Sequence, residues 1–116
     1  MQATEIDLER ATGLLRVSFD DGSRVELPAE YLRVESPSAE VQGHAPHQRQ
    51  LVAGKRAVRI FDIVPVGHYA IQLVFSDGHD SGLYSWEYLH RLGAEQGQRW
   101  DAYLAALEAK GLSRDR

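Results

Sequence analysis

Cysteine is absent from all 116 residues, which excludes disulfides, thiolate zinc centres, iron–sulfur ligation by this chain alone and a cysteine nucleophile. No apolar run approaches the roughly 20 residues that a helix needs to cross a bilayer. The stretch from Met1 to Glu9 is polar and acidic, without the basic-then-apolar order of an export signal. The expectation is a cytoplasmic protein with no membrane role. A strong charge of one sign is missing too: 13 Lys and Arg stand against 17 Asp and Glu, a formal net charge of −4. That balance argues against nucleic acid as a main partner. No Gly-x-Ser-x-Gly elbow, Walker loop or His-Glu-x-x-His helix occurs. The acidic pairs Asp20-Asp21 and Asp77 with Asp80 fall in turns, which leave carboxylates in water, a poor setting for acid–base work. No catalytic residue and no cofactor-binding residue is assigned, and the chain is expected not to be an enzyme.

What is present is a pattern that occurs twice. Val17-Ser18-Phe19-Asp20-Asp21-Gly22 leads to Glu30-Tyr31-Leu32-Arg33, and Leu73-Val74-Phe75-Ser76-Asp77-Gly78 leads to Glu87-Tyr88-Leu89-His90. An apolar run ending in Asp-Gly predicts a hairpin with a tight two-residue turn, because glycine tolerates positive φ. The second copy carries one extra residue between turn and helix.

Residues 14–19 and 23–27 form the first predicted hairpin, with Leu15, Val17 and Phe19 on one face and Val25 and Leu27 opposite them. Pro28 is placed at the first position of a short helix. Residues 35–54 contain Pro37, Gly43, Pro46 and Gly54 with little apolar periodicity, and predict a long loop. A second hairpin over 58–64 and 69–75 is expected to turn across Pro65-Val66-Gly67-His68. Ser85 is a good N-cap for a helix over 86–92 that Gly93 would end as a left-handed cap. From Glu95 to Lys110, Trp100, Tyr103, Leu104 and Leu107 recur at offsets 0, 3, 4 and 7 and share one helical stripe. The sum is a single α+β domain spanning 1–116: a small antiparallel sheet of two hairpins plus a short strand, covered by short helices and a C-terminal helix.

Gly67-His68-Tyr69-Ala70, the run from Phe75 to Trp86 with its Asp-Gly-His-x-x-Gly block, Tyr88-Leu89, and Pro28 to Arg33 together resemble the family called domain of unknown function 971. That family is similar to the N-terminal domain of gamma-butyrobetaine hydroxylase, and the likeness covers roughly 14–93. Its members occur alone in bacteria, ahead of an oxygenase domain, or fused to P-loop scaffold proteins that handle iron–sulfur clusters. In the hydroxylase version three cysteines after a Trp-Leu-Arg segment and one later histidine hold zinc. Tyr31-Leu32-Arg33 matches that segment, so Ser36, Ser38 and Val41 take the cysteine positions and His79 the histidine. The resemblance therefore implies the fold, with no structural zinc. It implies no hydroxylase activity either, since the iron- and oxoglutarate-binding residues belong to a downstream domain.

Three constellations remain. His79 beside Asp77 and Asp80, with His44 and His47 on the long loop, offers imidazole and carboxylate for a divalent ion. Between Val41 and Phe61 no Asp or Glu occurs, whereas Arg49, Lys55, Arg56 and Arg59 do, which makes a basic stretch suited to an acidic partner or a phosphate. Tyr84, Trp86, Tyr88, Trp100 and Tyr103 crowd the C-terminal third, as residues that bury area between two surfaces do. Trp86 and Tyr88, two apart on a helix, are expected on different faces. The expected function is a non-catalytic interaction or adaptor module that meets a protein partner or a second copy through Arg33, Trp86, Tyr88, Arg49, Lys55 and Arg56. The alternative, which the family resemblance implies, is a metal-handling accessory factor linked to iron or iron–sulfur proteins; His79, Asp77, His44 and His47 are the candidate metal ligands, and no cofactor is assigned.

Overall fold

The computed structural model describes residues 1–43 and 49–115. Its elements are β1 (Ala3–Glu9), β2 (Leu14–Phe19), β3 (Arg24–Pro28), α1 (Ala29–Val34), α2 (Ala39–Gln42), β4 (Ile60–Val66), β5 (Ala70–Phe75), β6 (Leu83–Ser85), α3 (Trp86–Ala94) and α4 (Gln96–Ala109). The class is α+β. The unexpected strand β1 joins the first predicted hairpin and the expected short strand, β6, joins the second, giving two antiparallel sheets with the orders β1-β2-β3 and β4-β5-β6.

β1 is the element that the composition hid. Ile6 and Leu8 pair with Val17 and Leu15 and lean on the core, while Asp7 pairs with Arg16 on the outer face. Arg16 reaches Glu9 at 2.6 Å and Glu26 at 2.7 Å, so one cation ties all three strands of the first sheet. Cross-strand charge of this kind turns an acidic terminus into an edge strand.

Both Asp-Gly loops are three-residue turns, one residue longer than the tight turns expected. The Gly22 amide donates to the Phe19 carbonyl at 3.1 Å and the Phe19 amide to the Ser23 carbonyl at 2.9 Å. The second loop repeats this with Gly78 to Phe75 at 3.0 Å and Phe75 to His79 at 2.9 Å. In each, the glycine at the last loop position has φ of 86° or 89°, the left-handed residue that closes a type I turn with a bulge. β6 does not resume pairing until Leu83 opposite Gln72. The extra residue of the second copy is taken up in the irregular stretch 79–82.

Other boundaries differ from expectation for local reasons. Pro28 ends β3 and occupies the N-cap position of α1, at φ −64° and ψ 148°, one residue before the helix proper. The second hairpin turns at Gly67-His68-Tyr69, since Pro65 and Val66 still pair with Ile71 and Ala70. The stretch 35–54 includes the single turn α2, whose Val41 is buried. Gly93 is not a left-handed cap: it lies inside α3, which runs on to Ala94. On α4, Tyr103 and Leu107 are buried and Trp100 is partly covered, but Leu104 faces solvent.

One core unites the two sheets. Leu15, Val17, Phe19 and Leu27 of the first meet Ile71, Leu73, Phe75 and Tyr84 of the second, together with Tyr31, Leu32, Leu89 and Leu92 from the helices. Phe19 and Phe75 thus share an interior. The buried hydroxyls are partnered: Tyr31 donates to the Leu92 carbonyl at 2.7 Å and Tyr84 to the Leu32 carbonyl at 2.6 Å. α4 packs as a second layer, with Tyr103 and Leu107 against Val34 and the Tyr103 hydroxyl on the Val52 carbonyl at 2.7 Å.

Candidate functional site

The turn after β5 and the segment after α1 meet at His79. Its ring is buried, with Nε2 2.9 Å from Ser36 Oγ and 3.4 Å from Ser38 Oγ, and Nδ1 3.3 Å from a carboxylate oxygen of Glu40. Burial first, then the nearby Arg33 guanidinium, lowers the imidazole pKa below its ordinary value, and Glu40 and Asp77 only partly oppose them. The ring is therefore neutral near pH 7, with Nδ1–H donating to Glu40 and Nε2 accepting from Ser36, a tautomer assigned from these partners.

Hydroxyl, imidazole and carboxylate in that order resemble a proton relay for acyl transfer. Access decides against it. Ser36 is 0% exposed, and the backbone closes over it: a Cβ placed on Gly82 would lie 2.5 Å from Ser36 Oγ. A nucleophile must reach its substrate, and this hydroxyl is sealed.

Asp77 is the hub of the next layer. One carboxylate oxygen accepts from Arg33 Nε at 2.8 Å and from Lys55 Nζ at 2.6 Å, and the other accepts the His79 amide at 3.1 Å. Burial alone would raise this carboxyl, but the Lys55, His79 and Arg33 hydrogen bonds outweigh it and hold the pKa down at about 2. Contrary to the expectation from the sequence, the turn does not leave Asp77 in water. Its side chain is 20% exposed and serves structure. One Arg33 terminal nitrogen is buried without a partner among the described residues.

The structure thus brings Ser36, Ser38, Glu40 and His79 together, with Arg33, Asp77 and Lys55 beside them. It does not bring Asp80, whose carbonyl accepts from Gln72 at 2.7 Å on the exposed rim. His44 and His47 lie outside the described residues. Among the described residues no group of three or more His, Asp or Glu is placed to hold a metal ion. The zinc that the resemblance raised does not fit either. Ser36 Oγ and His79 Nε2 are already in direct hydrogen-bond contact, Val41 offers no donor, and a neutral hydroxyl is a poor zinc ligand.

The remaining interaction candidates divide. Arg33 and Trp86 are interior, the indole N–H of Trp86 donating to the His68 carbonyl at 2.8 Å. Tyr88 is partly covered, its hydroxyl on the Glu35 carbonyl and its ring 5.9 Å from the Arg99 guanidinium of α4. Both Trp86 and Tyr88 therefore turn inward at different depths. The basic stretch is largely neutralised: Arg49 pairs with Glu35, Lys55 with Asp77 and Arg56 with Asp115. Sequence reasoning missed Glu35, a buried carboxylate between Arg49 and Arg99, and Glu40. Only the register of α1 and α2 places them, so no sequence signal marked either.

Fold and site define a small α+β module whose polar cluster is closed by its own hydroxyls. The chain belongs to the gamma-butyrobetaine hydroxylase-like N-terminal family, whose profile matches residues 6–90. It is similar to two proteins solved by NMR in solution. The first is 45% identical with a TM-score of 0.84, covering 98% of this chain and 90% of that one. The second is 49% identical with a TM-score of 0.84, covering 97% and 84%. It is also similar to a crystal structure of a protein of unknown function from the DUF971 family of Acidithiobacillus ferrooxidans ATCC 23270, at 45% identity and a TM-score of 0.68 over 81% of this chain and 94% of that one. No curated protein matches. No helix among the described residues is long and apolar enough to cross a membrane.

Proposed function

We propose that this chain is a non-catalytic docking module that works in the cytoplasm and binds a protein partner through the outer face of the β4-β5-β6 sheet. One observation carries the reading. Register places Val64, Gln72 and Leu83 in a row across that face, with Val66 and Val74 in the neighbouring rows. An antiparallel sheet with one solvated face normally carries polar residues there. Here Val64 is 36% and Leu83 48% exposed, and Phe61 and Tyr69 at the strand ends are 60% and 59% exposed. A cluster of exposed aliphatic and aromatic side chains is the usual mark of a binding surface. The sealed Ser36 hydroxyl and the neutralised cations support the same reading, since neither offers a reaction centre.

The test is affinity capture from the chain's own cell extract. Wild-type protein is expected to retain a defined partner that the folded double variant Phe61→Ser, Leu83→Ser loses at least tenfold, as the removal of two exposed apolar anchors predicts. Retention of the same partner by both would place docking elsewhere.

A further inference from the structure

We infer that Glu30 and Trp100 form a receptor slot for an arginine side chain on an extended segment of another protein, and that this chain's own C-terminal segment fills the slot in cis. After α4, Gly111 at φ 66° turns the chain back. Residues 113–115 then lie along 54–56: the Gly54 amide donates to the Ser113 carbonyl at 2.9 Å and the Arg56 amide to the Arg114 carbonyl at 3.0 Å. Arg56 meets the Asp115 carboxylate at 2.7 Å. This alignment throws the Arg114 side chain onto Glu30, with Nη2 2.6 Å from one oxygen and Nε 2.9 Å from the other. The guanidinium also sits 5.1 Å from the centre of the Trp100 ring.

Each part of the slot selects for arginine. The Glu30 side chain is 8% exposed, and a carboxylate that deep requires a cation whenever the slot is in use. The two-point fork and the stacked ring match a planar guanidinium and not an ammonium. A cavity of about 420 Å³ lined by Tyr31, Gln96 and Asp101 continues beyond the Arg114 side chain, so the slot is larger than its occupant. The occupant can be displaced, since Leu112, Ser113 and Asp115 are exposed and exposed segments outside helices and sheets open locally at low cost. A partner strand with an acid after its arginine would reproduce every contact, by addition to the 54–56 backbone. The acidic balance of the chain favours such a basic group.

This inference rests on the docking reading but uses a different face. A titration with a defined peptide needs neither Phe61 nor Leu83, so the two can fail separately. The intact chain and the full-length Arg114→Ala variant are titrated with the peptide acetyl-Leu-Ser-Arg-Asp-amide while the Trp100 indole NMR signal is followed. A control peptide carries citrulline in place of arginine, which keeps the shape and removes the charge. The Arg114→Ala chain is expected to bind the arginine peptide saturably, about tenfold or more tighter than the intact chain, whose tail competes. Citrulline is expected to weaken binding about tenfold or more, as loss of a charge-assisted fork does. No saturable shift in the variant, or equal shifts with both peptides, would overturn the slot. A dimer of the intact chain that Arg114→Ala converts to monomer would assign the slot to the tail of a second copy and overturn the partner.

Discussion

Gly93→Ala destabilises the fold by about 2–3 kcal/mol, the cost of overpacking a closed core. In an exposed helix the same change would stabilise by roughly 1 kcal/mol, because alanine is the better helix former. The sign reverses because α3 lies directly on β3. A Cβ at position 93 would stand 2.2 Å from Val25 Cγ1 and 2.7 Å from Val25 Cβ, and the latter atom cannot rotate away. Either the helix lifts, which opens the Leu89 and Leu92 contacts, or β3 shifts against Val17, its register partner. Adding Val25→Ala removes the nearer clash and is expected to restore part of the loss, a coupling that a double-mutant cycle in urea reads directly. A single variant as stable as wild type would mean that α3 and β3 are further apart than described.

Asp77→Asn removes about 2 kcal/mol at pH 7 and flattens the acid limb of stability. Asparagine keeps the shape but leaves the enclosed Arg33 and Lys55 without their counter-charge. The carboxyl falls from an ordinary 3.8 to about 2 in the fold, and a shift of that size corresponds to about 2 kcal/mol. A depressed carboxylate contributes stability that is fully present above the unfolded value and lost as pH falls from about 5 towards 2. His79 adds an earlier limb of the same sign. Its pKa is also depressed, from 6.5, so stability begins to fall as pH drops below that value and the buried ring must charge. Denaturant melts across pH are therefore expected to show two descending limbs in wild type. Asp77→Asn keeps only the upper and His79→Gln only the lower. A wild-type profile level from pH 7 to 3 would contradict both assignments.

The repeated Asp-Gly hairpins were legible because glycine after an acidic turn residue and an alternating apolar run leave one economical reading. Leu15, Val17 and Phe19 went to the core as their period-two spacing required. β1 was not legible, since Ile6 and Leu8 stand among three acids and only Arg16 across the ladder makes that pattern a strand. Gly93 misled because a cap glycine and a close-packing glycine look alike until Val25 is known to be opposite. At the site, the meeting of Ser36 and Ser38 with His79 followed from family resemblance and not from spacing. The basic stretch looked free because its partners Glu35, Asp77 and Asp115 lie elsewhere in the chain.

The most direct measurement adds Zn²⁺ to the intact chain at neutral pH and follows the His79 imidazole by NMR. If Ser36 and Ser38 close the cluster and the chain acts by docking alone, those signals stay in place at millimolar metal. A saturating shift at one equivalent of Zn²⁺ would show that His79 is an open ligand and that metal handling is the work of this fold.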